Sequence, residues 1–275
     1  MKTLDQVTKD IKEFKVQGAN QIALYGLSFL KDVAVKNGFG DKFKTASRHL
    51  KQARPTAVVL HNCIDIVKSD RKITTIDSLI DTLNTVGKRE AVYSDRIIAN
   101  NSKIITYCHS GEAMSFIKHA WKTHGKKLAV IACKTDPLEQ GITTAREIAR
   151  ERIPVTLIDD NAIGFFIKSI DMVVVGADAL RKEGVVNKIG TSLLAQAANS
   201  ASKPVYVVAN SLKIDKRKKF KIEERPATEI KKSIHARMYG IKIRNPAFDI
   251  TPWEHVTNIV NENGIFTTKQ FARLL

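Results

Sequence analysis

The sequence predicts an α/β fold in which a helical N-terminal domain precedes a Rossmann-like, doubly wound parallel sheet. From Leu4 to about Asn101, apolar residues recur at helical spacing and β-branched runs are scarce. After Asn101, short and continuously apolar runs alternate with amphipathic segments, a pattern typical of parallel strands covered by helices on both faces. We therefore expect a helical domain over residues 1–101 and an α/β domain over residues 102–275.

The predicted helical domain should contain four or five helices. Apolar residues such as Val7, Ile11 and Phe14 lie about one helical turn apart, whereas Gly38–Gly40 and Pro55 interrupt the pattern. The last helix of this domain is predicted to be long, from Ile76 to about Ile98.

The rest of the chain predicts strands that alternate with helices. The strands are expected at Ile104–Tyr107, Leu128–Ala132, Val155–Ile158, Met172–Val175 and Val205–Ala209. The helices between them are expected near Glu112–Thr123, Thr143–Arg152, Ala162–Lys168 and Ile189–Ser200. A final helix is predicted over Thr251–Gly264, because Pro252 suits a first helical turn and Gly264 suits the position after a helix end.

The composition argues against several classes of protein. With 275 residues and 43% hydrophobic content, the chain can bury a full core. It shows neither an apolar run long enough to span a membrane nor a signal sequence, which predicts a cytoplasmic protein without a membrane partner. Cys63, Cys108 and Cys133 are odd in number and lack zinc-type spacing, so we expect reduced thiols and no metal site. No cofactor is predicted either.

The formal net charge of +17 is the largest compositional anomaly. It suggests a nucleic-acid partner, because Lys and Arg side chains neutralise phosphates. However, the 45 Lys and Arg residues are spread along the chain, and the one dense stretch, Lys213–Lys221, offers only Phe220 for base stacking. We therefore favour a solvated basic surface, compatible with a small anionic substrate, over a nucleic-acid partner.

Two chemically reactive side chains follow predicted strands. Cys108 ends one strand and precedes a helix, whose positive N-terminal end should favour the thiolate and so lower the pKa of the thiol. Asp178 follows the strand Met172–Val175. If both strands belong to one parallel sheet, Cys108 and Asp178 lie on the rim where open α/β sheets place their chemistry. An enzyme is the leading hypothesis, although Cys108 taken alone is also compatible with an inert buried thiol.

Four sequence strings occur in an order that resembles one protein family. They are TYCHS (106–110), VGAD (175–178), VNKIGT (186–191) and RNPAFDITP (244–252). The family contains methylthioribose-1-phosphate isomerase, archaeal ribose 1,5-bisphosphate isomerase, and the alpha, beta and delta subunits of eukaryotic translation initiation factor 2B. The resemblance extends from about Gly18 to Gly264, and the TYCHS string is most similar to the bisphosphate isomerases.

The resemblance implies that Cys108 and Asp178 form a catalytic pair that converts ribose 1,5-bisphosphate to ribulose 1,5-bisphosphate in AMP degradation. Phosphate on the anomeric oxygen blocks spontaneous ring opening, so an acid must protonate the ring oxygen before hydrogen moves from C2 to C1. Asp178 would act at the ring oxygen and Cys108 at C1 and C2.

There are two alternatives: an isomerase of another sugar 1-phosphate, such as methylthioribose 1-phosphate, and a regulatory protein without turnover. The resemblance also implies a homo-oligomer, either a dimer through the C-terminal domain or a hexamer, and AMP as a candidate activator.

The resemblance assigns the phosphate and sugar oxygens of the substrate to a set of binding residues. They are Gly18, Ala19, Arg54, Gln140, Gly141, Asn187, Lys188 and Lys213. Lys188 is expected at the opening of a helix, where its cation and free backbone N–H groups would together bind phosphate. Asp249 fits a supporting role in the site and a role in a turn equally well.

The chain departs from the family pattern at two positions where an Arg is usual. These positions hold Gln17 and Asp136, and the loss of two cations loosens the assignment of the substrate. Lys15, Lys134 and Arg146 are candidates to compensate.

Overall fold

The computed structural model describes residues 2–231 and 240–275, and its first part is helical, as predicted. The helices there are α1 (Leu4–Lys12), α2 (Ala19–Asn37), α3 (Asp41–Ala53), α4 (Val58–Asp70), α5 (Ile73–Ala91) and α6 (Ser94–Ile97). The long helix predicted over Ile76–Ile98 is divided into α5 and α6. The division occurs because the chain turns at Tyr93, whose N–H donates to Glu90 O over a span of three residues at 3.2 Å.

Helices α1 to α5 share one apolar core. Leu27 and Leu30 of α2 and Leu60 and Ile64 of α4 are all fully buried in it. Gly26 has no side chain where the Leu60 methyl groups approach, so α2 and α4 pack closely. No helix in the described ranges is long and apolar enough to cross a membrane.

The second part alternates strands and helices. In chain order its elements are β1 (Ser102–Thr106), α7 (Gly111–His124), β2 (Leu128–Cys133), α8 (Gln140–Arg150), β3 (Val155–Ile158), α9 (Ile163–Phe166), β4 (Met172–Val175), β5 (Ala179–Arg181), β6 (Gly184–Lys188), α10 (Thr191–Ser200), β7 (Val205–Val208), α11 (Thr228–Lys231), β8 (Phe248–Thr251), β9 (Asn258–Asn261), β10 (Gly264–Thr267) and α12 (Thr268–Phe271). The five predicted strands and the four helices between them are confirmed, with ends that shift by a few residues.

The main sheet is doubly wound, as the apolar runs predict. Its strand order is β10-β9-β7-β4-β1-β2-β3, and all neighbours are parallel except β10 and β9. All four residues of β4 are buried, as expected of a strand covered on both faces. The chain runs outward from β1 through β2 to β3 and then returns to β4 on the other side of β1. The strand order therefore reverses between β1 and β4.

A second, antiparallel sheet of order β5-β6-β8 was not predicted. Its strands β5 and β6 lie between β4 and α10 in the chain and β8 comes much later, and β6 carries Asn187 and Lys188. The expectation that Lys188 opens a helix is therefore wrong: Lys188 ends β6, and α10 begins at Thr191 after Gly190.

The predicted helix over Thr251–Gly264 is also wrong. Thr251 ends β8, a short 3₁₀ turn follows Pro252, and β9 and β10 form a hairpin that turns at Glu262 and Asn263. Asn263-Gly264 is a hairpin signal rather than a helix end, because these residue types tolerate the backbone of tight turns. Pairing of β9 with β7, a strand about fifty residues earlier, supplies the backbone hydrogen bonds that a helix would have made locally.

Candidate active site

Cys108 and Asp178 lie just beyond the carboxyl ends of β1 and β4, the two adjacent strands between which the strand order reverses. In open α/β sheets, a crevice for ligands forms at this point. The two loops are packed together, since a Cβ on Gly176 would overlap the Ser110 side chain. The fold therefore brings the predicted catalytic pair to one place.

The backbone of Cys108 has an unusual conformation, with φ of 65°. Its N–H donates to Thr135 Oγ1 at 2.9 Å, and its carbonyl oxygen accepts a hydrogen bond from Thr144 Oγ1 at 2.8 Å. Two hydroxyl groups from the β2–α8 region therefore hold the loop that presents the thiol.

The expectation of a thiolate at Cys108 is not met. Burial raises the pKa of the Cys108 thiol to about 12, although the backbone N–H of His109 acts in the opposite direction. Helix α7 begins at Gly111 with Ser110 as its N-cap, so Cys108 lies outside the first helical turn, where the dipole is effective. Loss of hydration outweighs the helix end, and Cys108 is a neutral thiol at neutral pH.

Burial also raises the pKa of the Asp178 carboxyl above its usual value. The charges of Lys213 and Arg54 act in the opposite direction but do not overcome the loss of hydration. The Asp178 N–H donates to Val186 O at 2.8 Å, which fixes the loop against β6. Asp178 is thus a carboxyl group with an increased tendency to hold a proton, as expected for a general acid.

A cavity of about 350 Å³ opens above this pair, between the helical and α/β parts. Nine of the ten predicted site residues line it, namely Gly18, Ala19, Arg54, Cys108, Gln140, Asp178, Asn187, Lys188 and Lys213. The strand ends predict that Cys108 and Asp178 lie close together, but the common location of the others was predicted only through the family resemblance, because they come from distant parts of the chain.

Gly141 is the predicted residue that the structure places outside the cavity lining. It is buried at the start of α8, where its N–H donates to Lys134 O at 3.0 Å. A Cβ at this position would overlap the carbonyl oxygen of Cys133. Gly141 therefore allows α8 to pack against the end of β2, while the adjacent Gln140 reaches the cavity.

Arg54 enters the cavity from the C-terminal end of α3. Its guanidinium carbon lies 4.6 Å from the centre of the Phe14 ring, and that of Arg225 lies 3.2 Å from the same centre. Glu223 pairs with Arg54 at 3.5 Å, yet the Arg54 Nη1 is buried without a hydrogen-bond partner. One donor of this fixed side chain is therefore available to a ligand.

The two predicted lysines of the site are both buried and differ in their partners. Burial lowers the pKa of Lys188. Lys213 forms an ion pair with Glu112, which also accepts hydrogen bonds from Asn210 and from Asn20, the latter at 3.2 Å. The charge of Lys213 is therefore largely compensated by Glu112 within the protein. The charge of Lys188 would instead be compensated by a bound anion.

Sequence reasoning missed several residues that line the cavity. They include Arg225, Lys88, Asn20, Ser110 and Glu112. Glu112 and Ser110 adjoin Cys108 in sequence and were recoverable from its motif. Arg225 lies in an irregular segment, and Lys88 lies at an exposed position of α5. An isolated cation at either place forms no sequence pattern that would indicate a site.

The two departures from the family pattern have different positions. Gln17 lines the cavity, whereas Asp136 is exposed and pairs with Lys134 at 3.0 Å. Lys15 pairs with Asp10 at 3.4 Å rather than lining the cavity. The suggested compensation by Lys15 and Lys134 therefore has no support in the structure.

Comparison with known proteins places this chain in a family. A model described as the initiation factor 2 subunit family matches residues 15–268. The chain belongs to this family. Members that it resembles include the ribose 1,5-bisphosphate isomerase of Archaeoglobus fulgidus, which is 34% identical over 96% of this chain and 90% of that protein. The methylthioribose-1-phosphate isomerase of Acetivibrio thermocellus is 35% identical over 96% of this chain and 88% of that protein.

The fold is likewise that of the family. The crystal structure of the Pyrococcus horikoshii OT3 translation initiation factor eIF-2B superposes with a TM-score of 0.83 at 25% sequence identity, covering 96% of both chains. The family thus contains relatives named as isomerases and as initiation factors, so the chemistry of the site has to decide between them.

Proposed function

We propose that this protein is an aldose–ketose isomerase that converts ribose 1,5-bisphosphate to ribulose 1,5-bisphosphate. The observation that carries the proposal is the pair of Cys108 and Asp178 at the ends of β1 and β4, within a cavity lined by cations. The cations are Arg54, Lys88, Lys188, Lys213 and Arg225, which suit an anionic sugar with more than one phosphate.

Two unpartnered polar atoms support a bound sugar phosphate. Arg54 Nη1 and Gln140 Oε1 are both buried without a hydrogen-bond partner, and both residues line the cavity. One is a charged donor and the other is an acceptor. A phosphate oxygen and a sugar hydroxyl would satisfy them, which offsets the cost of leaving them unpaired.

The protonation states favour distinct roles for the two residues. Asp178, whose pKa is raised, would give a proton to the ring oxygen as the C1–O bond breaks. Hydrogen then moves from C2 to C1, and the C2 hydroxyl loses a proton as it becomes the ketone. That proton restores Asp178, so the reaction consumes none. Cys108, a neutral thiol at neutral pH, would carry this hydrogen as a proton: its S–H gives a proton to C1 and its sulfur takes up the proton that C2 releases, so the thiol is restored in each turnover.

A substrate with one phosphate is the second candidate. Gln17 stands in the cavity where the family usually has Arg, and the charge of Lys213 is compensated by Glu112. Both observations reduce the positive charge available for a second phosphate and favour a sugar 1-phosphate such as methylthioribose 1-phosphate.

Incubation with each substrate, followed by identification of the product by NMR, tests the proposal. Ribulose 1,5-bisphosphate should form from ribose 1,5-bisphosphate, and the Asp178→Asn variant should form none. Faster conversion of methylthioribose 1-phosphate would select the second candidate. Turnover of neither substrate by a folded protein would contradict both and favour a regulatory role.

The remaining expectations about partners and location stay proposals that rest on family resemblance. We propose a homo-oligomer that works in the cytoplasm and is activated by AMP. Light scattering in solution tests the assembly, and turnover measured with and without AMP tests the activation.

A further inference from the structure

A second concave surface lies on the helical part, between α3 and α4. It has a volume of about 530 Å³ and shares no lining residue with the active-site cavity. Three cations from one face of α3, namely Lys44, Arg48 and Lys51, line it together with Lys68 of α4. We call this surface the α3–α4 groove.

The positive charge of the α3–α4 groove is only partly compensated. Lys44 pairs with the exposed Asp41 at 3.3 Å, and Lys51 pairs with Asp65. Arg48 and Lys68 have no ion-pair partner among the described residues. Lys44, Arg48 and Lys51 recur at helical spacing, so their side chains project toward one strip of surface. The groove therefore holds two uncompensated cations beside two others.

A buried hydroxyl group gives the groove a second, independent feature. Ser47 lines the groove, is only 2% exposed, and its Oγ has no hydrogen-bond partner. An unpaired buried hydroxyl is costly, and a ligand oxygen at this place would accept its hydrogen bond. Ser47 lies within one helical turn of Lys44 and Lys51, so a single ligand can reach both the hydroxyl and the cations.

We propose that the α3–α4 groove is a second ligand site that binds a small molecule carrying clustered phosphate groups. Phosphate oxygens accept hydrogen bonds from a hydroxyl and from cations at once, which matches the donors present. Two or more phosphate charges match the two uncompensated cations. Arg54, the residue that directly follows α3, lines the active-site cavity, so the ligand would contact the helix that leads into a candidate substrate-binding residue.

Calorimetry with pyrophosphate tests the proposal. It is done at about physiological salt, because exposed charges are then screened beyond roughly 8 Å and general charge attraction is weak. The full-length wild-type protein should show a binding event that persists in Lys188→Ala, a variant of the active-site cavity. The double variant Arg48→Gln/Lys68→Gln should weaken this event at least tenfold. The matched control Lys218→Gln/Lys219→Gln removes the same charge from exposed positions and should leave the affinity within twofold of wild type. The proposal would be overturned if both double variants lost the same affinity for pyrophosphate, or if Arg48→Gln/Lys68→Gln lost no affinity.

Three further measurements separate a built site from general charge attraction. Ser47→Ala keeps the charge and should weaken pyrophosphate binding several-fold while circular dichroism stays unchanged; unchanged affinity would overturn the assignment. Inorganic phosphate should bind at least tenfold more weakly than pyrophosphate, and equal affinity would contradict a ligand with clustered phosphates. A short single-stranded oligonucleotide that bound more tightly than pyrophosphate, with the same dependence on Arg48 and Lys68, would replace the proposal by a nucleic-acid site.

Discussion

Cys108 combines a backbone conformation that non-glycine residues seldom adopt with a thiol that is hard to ionise. Such conformations persist where the surroundings hold them, and they cluster at functional sites. Here Thr135 and Thr144 bond to the backbone of Cys108 rather than to its sulfur. The side chain can therefore be changed without disturbing the groups that position it.

Cys108→Ser should lower kcat by at least about a hundredfold, because positioned acid–base groups contribute roughly 10² to 10⁴. The hydroxyl of Ser is a weaker acid than the thiol and cannot supply its proton as readily. Steady-state kinetics with circular dichroism on the same preparation would measure this. Cys133→Ala is the control, since Cys133 is buried at the end of β2 outside the cavity lining and its loss should leave kcat within a few fold. Unchanged turnover in Cys108→Ser would remove this residue from the mechanism.

Asp178→Asn should nearly abolish turnover while substrate binding is kept or improves. The amide has a similar shape but cannot give a proton, and a negative group near an anionic substrate is removed. Burial raises the pKa of Asp178, so wild-type activity that needs the protonated form should fall as pH rises through that raised pKa.

Calorimetry of substrate binding and a turnover assay would separate these roles of Asp178. Asp32→Asn, at an exposed position of α2, should match wild type in both assays. Lost binding in a folded Asp178→Asn variant would mean that this residue positions sugar hydroxyl groups instead.

At the scale of elements, Asp249 on β8 fixes the start of α10. Its Oδ2 accepts hydrogen bonds from Gly190 N at 2.7 Å and from Ser192 N at 3.1 Å. Gly190 has φ of 101°, and a Cβ there would overlap the hydroxyl of Tyr107, so only glycine suits this turn. Asp249 thus supports the turn that follows Asn187 and Lys188, and its supporting role in the site stays a prediction.

Asp249→Asn should change how stability depends on pH. Burial raises the pKa of Asp249 from 3.8 to about 6, against the opposing effect of the Ser192 and Gly190 N–H groups. A raised pKa in the folded state contributes stability that is complete below pH 3.8 and is lost as pH rises through about 6. Relative to the variant, the wild type should therefore lose up to about 3 kcal/mol of unfolding free energy over this range. Urea unfolding at several pH values measures it, and a constant difference between pH 4 and 7 would contradict the assignment.

Glu90→Leu should stabilise the contact between α5 and α7. Glu90 is fully buried, neither of its carboxyl oxygens has a hydrogen-bond partner, and burial raises its pKa to about 10. At neutral pH it is therefore an uncharged but unsatisfied polar group, whose replacement should add about 1–2 kcal/mol to the unfolding free energy. Glu112→Leu provides the contrast, because it leaves Lys213 buried without its partner and should cost about 3–5 kcal/mol. Thermal unfolding of both variants decides, and destabilisation by Glu90→Leu would mean that this carboxyl has a partner in solution.

At the scale of the whole molecule, the active-site cavity depends on how the helical part docks on the sheet. Asn62 of α4 donates hydrogen bonds from Nδ2 to Leu212 O and Ile214 O, both at 2.8 Å. Arg217 Nη1 donates to Pro55 O at 2.9 Å, on the segment that follows Arg54. These bonds hold the segment after β7, which carries Lys213, against α4 and against the segment that follows Arg54, and both Lys213 and Arg54 line the cavity.

Asn62→Ala should lower the unfolding free energy by about 2 kcal/mol, because two carbonyl groups lose their donor. It should also raise KM more than it lowers kcat, since Arg54 shifts relative to Cys108 and Asp178 while the pair itself stays on the sheet. Chemical denaturation and steady-state kinetics test both effects. Ser28→Ala, which removes an exposed hydroxyl bonded to Leu24 O, should change neither. An unchanged KM in Asn62→Ala would mean that docking does not control the cavity.

Much of the architecture was predictable from local pattern. Strands Val155–Ile158 and Met172–Val175 were predicted to the residue; the second is buried along its whole length, and a strand covered on both faces must be apolar throughout. The helical region was predictable for a similar reason, since its buried positions recur at helical spacing. Cys63 and Cys133 are free thiols buried in the core.

The errors fall where partners are distant in sequence. The second sheet and the hairpin of β9 and β10 consist of short strands, and each depends on one distant pairing: β6 pairs with β8, as with Asn187 and Asp249, and β9 pairs with β7. Propensity is a weak guide for such strands, because pairing and packing decide their conformation. The sequence by itself therefore determined the fold class and the placement of Cys108 and Asp178 at strand ends, since apolar runs and their ends are local features. Only the tertiary structure decided that Cys108 is a neutral thiol and that Arg225 and Lys88 reach the cavity, because hydration and charge at a site depend on everything that packs around it.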